Sequence, residues 1–347
     1  MHRYGRELHD ALLQLPNQHR TIVLDAPHAA GRSRLGRAWL RYVTYPQAVR
    51  RREARAFHIL DHGYAHAIRA LDPARTVVTC HDLIPLLAAE GVIPMSLSAT
   101  VARTFRWRIA QLRRARVVIA VSNATKTTLE RYADVAPACI TVVPQGVSAI
   151  FRSNRSGAEP TRAAAGLDAA TIVLLQVASR ARYKNTPAAL QALARLRATL
   201  GDRVVLVRVG APMFADEVDL ASRLGVRSAV REIGSVDDET LVGWYNAAAA
   251  LVFPSLWEGF GWPPLEAMAC GTPVVTSNTP AIAEVVGDAG ILVPPGDANA
   301  LAAGIERVVT DRTFAQSLRQ KGLARAREFT WARTAAATMA VYERVLR

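Results

Sequence analysis

Two carboxylates flank a short loop made of glycine, proline and aromatic residues. Glu258 and Glu266 stand on either side of seven residues in the run LWEGFGWPPLEAMACG. The glycines let the backbone approach a ligand without a Cβ clash, and the two prolines suit the first turn of a helix that Gly271 would end. N–H groups at the start of such a helix bind phosphate, and a nearby carboxylate accepts hydrogen bonds from sugar hydroxyls. The loop therefore predicts a site for a sugar joined to a diphosphate.

The same two carboxylates also have a purely structural interpretation. Glu266 falls in the first turn of the predicted helix, where the helix dipole stabilises a negative charge by about 0.3–1 kcal/mol. Glu258 is then a solvated loop residue. A dinucleotide-binding fingerprint does not fit, because it needs a third glycine or an alanine where this run has Pro264.

The elements around this loop are short apolar runs that alternate with helical patterns. Near-continuous Val/Ile/Leu runs are typical of strands buried on both faces of parallel sheets, with helices as crossovers. The sequence therefore predicts an α/β fold. The predicted strands are TIVLDA, AFHIL, RTVVTC, RVVIAVS and CITVVP, then TIVLLQVAS, RVVLVRVG, ALVFPS, TPVVTS and GILVPP.

One polar, aperiodic segment interrupts this series. Residues 151–168 contain Gly and Pro and lack periodicity, which is typical of a linker,. Two Rossmann-like halves joined there would face each other across a cleft, with ligands outside the carboxyl ends of the strands. The predicted division is an N-terminal domain at 1–152, a linker at 153–166, a C-terminal domain at 167–330, and a helix at 331–347 that packs back on the N-terminal domain.

The bulk composition narrows the class of protein. The chain has 347 residues and only three widely spaced cysteines, which form neither a disulfide framework nor a zinc-ligand pattern,. No signal peptide follows Met1, and Asn246 and Pro254 interrupt the longest uncharged run, residues 240–257. We therefore expect a cytoplasmic protein with no membrane-spanning helix.

The net charge leaves the partner open. A charge of +14 suits nucleic acid, anionic lipid or phosphorylated substrates,. Only three of the 43 basic residues are lysines, so the excess also fits an arginine bias in genome composition. The basic residues are not interleaved with stacking aromatic residues, which argues against nucleic acid.

Several longer runs carry a family resemblance. PSLWEGFGWPPLEAMACGTPVVTSN, followed by AIAEVVGDAGILVPPGD, resembles the donor-binding signature of the family 4 retaining glycosyltransferases of GT-B fold. VASRARYKN and GSVDDETLVGWYNAAAALVFPS resemble other parts of the same C-terminal domain. RTVVTCHDLIPLL and ARVVIAVSNATKTTLERY match the N-terminal domain. The resemblance implies a GT-B fold with an acceptor-side N-terminal domain and a nucleotide-sugar-binding C-terminal domain.

The resemblance also implies roles on the donor side. Glu266 would bind the ribose hydroxyls of the nucleotide, and Glu258 would lie against the donor sugar near the reacting centre. Lys184 would neutralise the leaving diphosphate. The backbone amides that would receive the sugar hydroxyls and diphosphate belong to Gly259, Phe260, Gly261 and Leu265.

An arginine would assist this lysine. Many relatives carry it five residues before the lysine, where this chain has Ser179, so Arg180 and Arg182 are the candidates and Arg180 is preferred. Either arginine also fits a solvated loop position. Two cations aimed at developing phosphate charge would replace a metal ion. The sequence contains no Asp-x-Asp, so we expect neither a metal nor another cofactor.

On the acceptor side, the resemblance draws attention to residues that follow predicted strands. His81 would contact the donor sugar from the N-terminal domain, with Asp82 beside it orienting the loop. Asp61 and His62, after the preceding strand, would line the acceptor site, although a packing or capping role fits them equally well. A structural role is also open for His81.

The implied reaction transfers a hexose, with mannose as one candidate, from a nucleotide-diphosphate sugar with retention at the anomeric carbon. The acceptor attacks from the front face and the leaving phosphate assists its deprotonation. Cell-envelope polysaccharide assembly is the expected setting. The alternatives are a nucleotide-sugar-binding subunit without turnover, or another reaction of the fold such as glycan phosphorolysis.

The amino terminus departs from the family pattern. HRYGRELHDALLQL corresponds to a helix that normally follows a first strand and a glycine-rich loop. The chain begins inside that pattern, so we expect either a true start further upstream or a first domain without its first strand. Because the loop normally contacts donor phosphate or acceptor, activity of this chain depends on how the loop is replaced.

A basic helix predicts contact with a membrane. In SATVARTFRWRIAQLRRAR, one face carries Val101, Phe105, Ile109 and Leu112 at helical spacing,. A basic face with an indole suits an anionic headgroup layer, which predicts peripheral attachment at the inner face of the cytoplasmic membrane and a lipid-linked or cell-surface glycan acceptor. A solvated face is the alternative. The opposite, basic face holds Arg103, Arg106, Trp107, Arg113 and Arg114, and a second cluster holds Arg50, Arg51, Arg52 and Arg55.

Overall fold

The protein consists of two compact α/β units. The computed structural model describes residues 2–16, 23–24, 33–93 and 95–347. One unit comprises residues 1–146 with 330–347, and the other comprises residues 147–329. In each described sheet, all strand pairs are parallel. This is the α/β architecture that the alternating apolar runs predict.

The first unit is built on four described strands in the order β1-β2-β3-β4. The strands are β1 (Phe57–Ile59), β2 (Thr76–Cys80), β3 (Val117–Ala120) and β4 (Ile140–Val142). The helices are α1 (His2–Leu13), α2 (Arg34–Trp39), α3 (Tyr45–Arg50), α4 (Ile84–Ala89), α5 (Ala99–Ile109), α6 (Asn123–Ala133) and α15 (Trp331–Leu346). A π turn at Leu40–Thr44 joins α2 to α3, and a 3₁₀ segment follows β1 at His62–Ala70.

Both faces of the first sheet are covered. On one face, Val78 and Val118 pack with Phe105 and Ile109 of α5. On the other face, Val77 and its neighbours pack with residues of α15. Successive strand side chains point to opposite faces, so β2 and β3 are buried at every position and require mostly apolar residues, with Thr76 and Thr79 as the exceptions in β2. That requirement explains why they are visible in the sequence as continuous apolar runs.

The second unit is built on six strands in the order β10-β9-β8-β5-β6-β7. The strands are β5 (Ile172–Ala178), β6 (Val204–Gly210), β7 (Val230–Gly234), β8 (Ala250–Phe253), β9 (Val274–Ser277) and β10 (Ile291–Val293). The helices are α7 (Ala158–Ala164), α8 (Thr186–Leu200), α9 (Ala215–Arg223), α10 (Asp238–Ala247), α11 (Trp262–Ala269), α12 (Pro280–Val286), α13 (Ala298–Thr310) and α14 (Arg312–Ala326).

Nine of the ten predicted strands correspond to observed strands. The remaining prediction, TIVLDA at residues 21–26, falls mostly outside the described residues. The structure adds β7, which the sequence did not indicate. Arg231 and Glu232 are exposed in this edge strand, so it lacks the apolar run that marks a strand buried on both faces.

The predicted linker proves to be part of the second unit. Residues 158–164 form α7, and an added Cβ at Gly243 of α10 would lie 2.3 Å from the Thr161 hydroxyl, so the two helices touch closely. The Arg162 guanidinium donates to the carbonyls of Thr171 at 2.6 Å and Ala247 at 3.2 Å. Polarity and the absence of a period suggested a linker here. The segment is polar because its side chains bond to backbone carbonyls.

The C-terminal residues belong to the first unit. Residues 330–347 group with residues 1–146. Val341 and Val345 of α15 are buried in the cluster that contains Val77 and Val117. The Thr334 hydroxyl donates to the Pro144 carbonyl at 2.8 Å, so α15 is also tied to the segment that follows β4.

Candidate active site

Two loops meet where the strand order of the second sheet reverses. β5 and β8 are neighbours, while β6 and β7 extend the sheet on the other side of β5. One loop, residues 179–185, follows β5, and the other, residues 254–261, follows β8. The Leu256 N–H donates to the Tyr183 carbonyl at 2.7 Å and links the loops. Ligands of open α/β sheets bind at such a reversal, outside the carboxyl ends of the strands.

Lys184 and Glu258 form an ion pair across these two loops. Lys184 Nζ lies 2.6 Å from Glu258 Oε1, and each side chain is only 11% exposed. The ammonium also lies 4.9 Å from the centroid of the Phe253 ring, within the range of a cation–π interaction. Removing water makes each charge costly without the other. The pair therefore holds a cation and an anion ready at the point where a ligand would bind.

The second glutamate of the motif is fixed separately. Glu266 lies on α11 and is 4% exposed. The hydroxyl of Tyr245, from α10, donates to Glu266 Oε2 at 2.8 Å. Tyr245 is fully buried, and its own carbonyl accepts from the Thr272 hydroxyl at 2.6 Å. The Tyr245 hydroxyl thus orients the Glu266 carboxylate, and the sequence did not indicate this role for Tyr245.

The helix between the glutamates differs in one detail from expectation. α11 begins at Trp262, so Glu266 is its fifth residue and lies beyond the first turn. The prediction that Glu266 sits in the first turn is therefore wrong, and the dipole interpretation of this residue loses its basis. The helix ends as expected before Gly271, which has a φ of +73°.

The loop backbone depends on one glycine. Gly261 precedes α11 with a φ of +118°, and an added Cβ there would lie 2.6 Å from Ile282 Cδ1. Phe260 and Leu265 bury their side chains in the protein. The Leu265 N–H already donates to the Gly261 carbonyl at 3.2 Å, and the two prolines have no N–H. Leu265 is thereby removed from the predicted amide donors for a ligand.

The two candidate arginines have different surroundings. Both are exposed and lie over the same Phe214 ring, with the Cζ of Arg182 3.9 Å and that of Arg180 5.0 Å from the centroid. Arg182 also pairs with Asp216, with distances of 2.7 and 2.9 Å from Nη1 to the two carboxylate oxygens. Within the described part of the chain, Arg180 has no carboxylate within ion-pair distance. Arg180 is therefore the cation available to a ligand.

Three buried hydroxyls at the same sheet edge were missed by the sequence interpretation. Ser255 follows β8, Ser277 ends β9, and Thr279 precedes α12. All are at most 3% exposed, and their hydroxyl oxygens have no hydrogen-bond partner among the described residues. Buried hydroxyls normally find a partner. The only sequence signal was the presence of Ser and Thr directly after apolar runs.

The histidine of the first unit is held at both ring nitrogens. His81 follows β2; its Nε2 lies 2.8 Å from the Leu60 carbonyl oxygen, and its Nδ1 lies 2.8 Å from Gln145 Nε2. A carbonyl can only accept, so Nε2 carries the proton and Nδ1 accepts from the Gln145 amide. Burial, together with nearby His62, lowers the pKa of His81 to about 4. His81 is therefore neutral, and a ligand must replace one of these bonds to use its ring.

The other acceptor-side candidates are bound to the local backbone. Asp61 Oδ1 accepts from the Gly63 N–H at 2.7 Å, and Asp82 Oδ1 accepts from the Ile84 N–H at 3.0 Å. His62 is 6% exposed, and its Nδ1 accepts from the His81 N–H at 3.3 Å. These residues and His81 form one cluster at the carboxyl ends of β1 and β2. The capping interpretation describes the geometry of Asp61, while Asp82 bonds to the first residue of α4.

The predicted membrane face is only partly basic in the fold. Phe105, Ile109 and Leu112 are buried as predicted, whereas Val101, in the first turn of α5, is 43% exposed. Ala102, three residues before Phe105 on the same side of the helix, is also buried,. Two of the four arginines have acidic partners, in the pairs Arg106–Glu90 and Arg113–Asp134.

No group of three or more His, Cys, Asp or Glu side chains is placed to hold a metal ion in residues 2–16, 23–24, 33–93 and 95–347. In the same residues, no helix is long and apolar enough to cross a membrane.

The architecture of the two units defines a class. Two α/β units with parallel sheets match the fold of solved GT-B glycosyltransferase structures. Residues 2–149 match the family described as Glycosyltransferase Family 4, and residues 158–325 match the family described as Glycosyl transferases group 1. The chain belongs to these glycosyltransferases, as the sequence motifs predict.

Individual proteins agree with this membership. The chain is 31% identical over 281 residues to the serotype-specific mannosyltransferase WbdA of Escherichia coli, a match over 79% of this chain and 34% of the relative. The chain thus spans about a third of that relative's length. Sucrose-phosphate synthase from Thermosynechococcus elongatus has a similar fold, with a TM-score of 0.78 and 24% identity over 99% of this chain and 92% of that one. Anabaena HepE, whose structure was solved in complex with UDP and glucose, has a similar fold, with a TM-score of 0.74. Its sequence identity is 22%, and the match covers 90% of this chain and 83% of that one.

Proposed function

We propose that this protein is a retaining glycosyltransferase that moves a hexose, mannose in the first instance, from a nucleotide-diphosphate sugar to a lipid-linked or cell-surface glycan. The observation that carries the proposal is the group of Lys184, Glu258 and Glu266 at the strand reversal of the second sheet. A single ligand that contains ribose, diphosphate and sugar matches these three charges. The similarity to a serotype-specific mannosyltransferase favours mannose and envelope polysaccharide assembly.

The nucleotide half of the donor would bind through Glu266. Its carboxylate accepts two ribose hydroxyls, while Tyr245 keeps it oriented at 2.8 Å. The diphosphate replaces Glu258 as the partner of Lys184, with Arg180 as a second cation. The amides of Phe260 and Gly261 donate to the phosphate or sugar oxygens. Glu258, released from Lys184, accepts from a hydroxyl of the donor sugar.

The buried hydroxyls of Ser255, Ser277 and Thr279 extend this donor site. Each carries a donor and two acceptor lone pairs without a partner in the described structure,. A sugar nucleotide presents hydroxyls and carbonyls that would satisfy them. Their position at the ends of β8 and β9 places them at the same sheet edge as Glu258.

The reaction is proposed to run without a metal ion. Developing charge on the leaving diphosphate is stabilised by Lys184 and Arg180, and preorganised cations of this kind typically contribute about 10²–10³-fold in rate. The acceptor hydroxyl attacks the anomeric carbon from the side of the leaving group, and its proton passes to the departing phosphate oxygen. The sugar is thereby transferred with retention. Activity that survives EDTA supports this assignment, whereas activity restored only by Mg²⁺ or Mn²⁺ contradicts it.

Thermal unfolding with UDP, GDP and ADP, and with their common hexose conjugates, tests the donor site. One nucleotide should raise the unfolding temperature of the parent protein, and Glu266→Gln should abolish that shift. Glu239→Gln, an exposed glutamate of the same unit, is the matched control and should leave the shift unchanged. A shift that survives Glu266→Gln, or no shift with any nucleotide, contradicts the proposed site.

Turnover is tested separately with the nucleotide sugar that binds. Release of free nucleotide diphosphate from that donor, slowed by Lys184→Gln, identifies an enzyme. Binding without any release, even with membrane extract as acceptor, identifies a binding subunit. Release of a sugar 1-phosphate from glycan and phosphate would instead identify a phosphorolytic enzyme.

Attachment to the cytoplasmic face of the membrane is part of the proposal. Arg103 and Arg114 are exposed and have no acidic partner in the described residues, and Trp107 on the same surface is 39% exposed. The parent protein should sediment with vesicles that contain anionic lipid, and Arg103→Glu/Arg114→Glu should not. Failure of the parent protein to bind such vesicles contradicts this part alone.

A further inference from the structure

A cationic and aromatic cluster lies on the first unit, next to the acceptor-side histidines. It is formed where the π turn between α2 and α3 meets the 3₁₀ segment 62–70 and α5. π turns inside helices occur often at functional sites, and this one carries two members of the cluster. The arginine–aromatic cluster consists of Arg41, Tyr42, Tyr64, His66, Trp107 and Arg108.

Two guanidinium groups converge on one backbone carbonyl in this cluster. Arg41 Nη2 donates to the Gly63 carbonyl at 2.5 Å, and Arg108 Nη1 donates to the same oxygen at 3.3 Å. The Cζ of Arg41 lies 4.3 Å from the centroid of the Tyr64 ring. A neutral carbonyl and an aromatic face orient two cations but do not neutralise them.

The protein balances the positive charge of the pair only in part, through the nearby Asp61 carboxylate, which raises the pKa of Arg108. Within the described part of the chain, neither Arg41 nor Arg108 has a carboxylate within ion-pair distance. The Nε–H of each arginine is buried and has no acceptor. Burial lowers the pKa of Arg108, and the neighbouring charge of Arg41 lowers it further. An anion placed between the two guanidinium groups would offset this cost, since charge-assisted bonds from arginine to phosphate are strong.

Aromatic rings continue from the cations towards an apolar groove. The ring centroid of Tyr42 lies 4.7 Å from that of His66 and 6.0 Å from that of Trp107. Tyr42 also lines a groove of about 540 Å³ on α2 and the π turn. Leu35 and Trp39 of this groove are 84% and 65% exposed. Large apolar side chains in such contact with water indicate a binding surface.

We propose that the arginine–aromatic cluster binds the phosphate of a prenyl-phosphate-linked acceptor, with the prenyl chain in the groove lined by Leu35 and Trp39. The charge of the cluster and the apolarity of the groove match the two parts of that one ligand. Gly63, on which both arginines converge, directly follows His62, which bonds to the His81 backbone at 3.3 Å. A phosphate held here would anchor the acceptor beside the acceptor-side cluster. This inference rests on the proposed glycosyltransferase function.

Farnesyl diphosphate is a soluble probe that carries both parts of this ligand. Its binding is measured by calorimetry and by the fluorescence of the protein, since Trp107 belongs to the cluster. The parent protein should bind it, and Arg41→Gln/Arg108→Gln should bind it about tenfold or more weakly, because two hydrogen bonds to a charged group are lost. Arg131→Gln, which changes an exposed arginine on α6 of the same unit, is the matched control and should bind like the parent.

Two further variants separate ligand binding from folding. Arg41→Lys and Arg108→Lys keep the positive charge. They replace the glutamine variants in this test if the glutamine variants unfold at a much lower temperature than the parent protein. They should bind more weakly than the parent while their unfolding temperatures stay near that of the parent. Leu35→Ser/Trp39→Ser should weaken the binding of farnesyl diphosphate and leave the binding of inorganic pyrophosphate unchanged.

The comparison of ligands shows which source of phosphate is recognised. Binding of farnesyl diphosphate well above that of inorganic pyrophosphate and of farnesol supports the proposal. Equal binding of pyrophosphate overturns it in favour of a free anion, and no binding of farnesyl diphosphate, or unchanged binding by the arginine variants, overturns it as well. The shift of the unfolding temperature by a nucleotide, and its loss in Glu266→Gln, depend on a site in the second unit. They therefore report on the glycosyltransferase assignment independently of this result.

Discussion

Lys184 Nζ lies 2.6 Å from Glu258 Oε1, although the two residues are 74 positions apart. The family resemblance assigns the lysine to the diphosphate and the glutamate to the sugar, and the fold joins the two side chains to each other. They come from the loops after β5 and β8, which the sheet order makes neighbours. Each charge therefore stabilises the other until a donor supplies replacement partners.

A double-mutant cycle on this pair should show strong coupling. Glu258→Gln leaves a lysine that is 11% exposed without its counter-charge, and Lys184→Gln does the converse. Both single variants should unfold at lower urea concentrations, with a coupling free energy of about 0.5–3 kcal/mol. Both should also lower the rate of sugar transfer, by about 10²-fold or more. Additive effects on stability would show that the pair is not formed in solution.

Tyr245→Phe should weaken nucleotide binding while it preserves packing. The substitution removes only the hydroxyl that donates to Glu266 at 2.8 Å. Because a hydrogen bond to a charged group is worth about 1.5–3 kcal/mol, both stability and nucleotide affinity should fall. Calorimetric titration with the stabilising nucleotide measures the effect. Tyr132→Phe in the first unit is the control, and equal affinities for all three proteins would contradict an orienting role of Tyr245.

Arg180→Ala and Arg182→Ala should differ in their effect on turnover. Arg182 already pairs with Asp216 at 2.7 Å, whereas Arg180 lies over the Phe214 ring and has no acidic partner in the described residues. Loss of Arg180 should lower kcat about 10-fold or more, since it removes a cation from the leaving group, while loss of Arg182 should change kcat little. Steady-state transfer assays at saturating donor measure this. The reverse order would assign the phosphate contact to Arg182.

Gly261→Ala should destabilise the second unit for two reasons. The residue has a φ of +118°, and an added Cβ would lie 2.6 Å from Ile282 Cδ1. Backbone strain of this kind amounts to about 1–3 kcal/mol, and the steric contact adds to it. Gly296→Ala is the matched control, because Gly296 has a φ of +84° with no atom near the added Cβ.

The steric part of this effect can be isolated. Gly261→Ala/Ile282→Val should recover some stability relative to Gly261→Ala, whereas the backbone strain remains. Urea denaturation of the three variants provides the comparison. Equal losses for Gly261→Ala and Gly296→Ala would mean that Ile282 yields without cost.

The stability of the protein should fall as the solution is acidified through the histidine range. Burial lowers the pKa of His81 from 6.5 to about 4 in the folded protein. Between these values the unfolded chain binds a proton that the folded chain does not, so stability is full above about pH 6.5 and declines towards pH 4, by about 3 kcal/mol for this one group. His58, whose pKa burial lowers to about 3, acts in the same direction.

Urea denaturation between pH 4 and pH 8 measures this decline. His81→Asn should show a flatter dependence on pH than the parent protein, since it removes one of the groups that titrate. Proton NMR of the His81 ring should find it neutral at pH 5.5. A His81 resonance that titrates near pH 6.5 would contradict the buried, doubly bonded arrangement with Leu60 and Gln145.

The amino-acid sequence by itself determined the class of fold, most of the strands and the glutamate motif. Runs such as VVIA and LVF need burial on both faces, and this requirement is local and visible in composition. The sequence also shows that Glu258 and Glu266 flank a loop with two glycines. The positive φ at Gly261 explains why this loop requires glycine there. β7 was invisible because an edge strand with exposed Arg231 and Glu232 has no continuous apolar run.

The tertiary structure alone decided which side chains meet. The order β10-β9-β8-β5-β6-β7 brings Lys184 to Glu258, and the packing of α10 against α11 brings Tyr245 to Glu266. The polar segment 158–164 becomes a helix only because Arg162 finds carbonyls from elsewhere in the chain. Neither ring nitrogen of His81 could be assigned before Leu60 and Gln145 were placed. Such pairings depend on distances between residues far apart in sequence, and local periodicity carries no information about those distances.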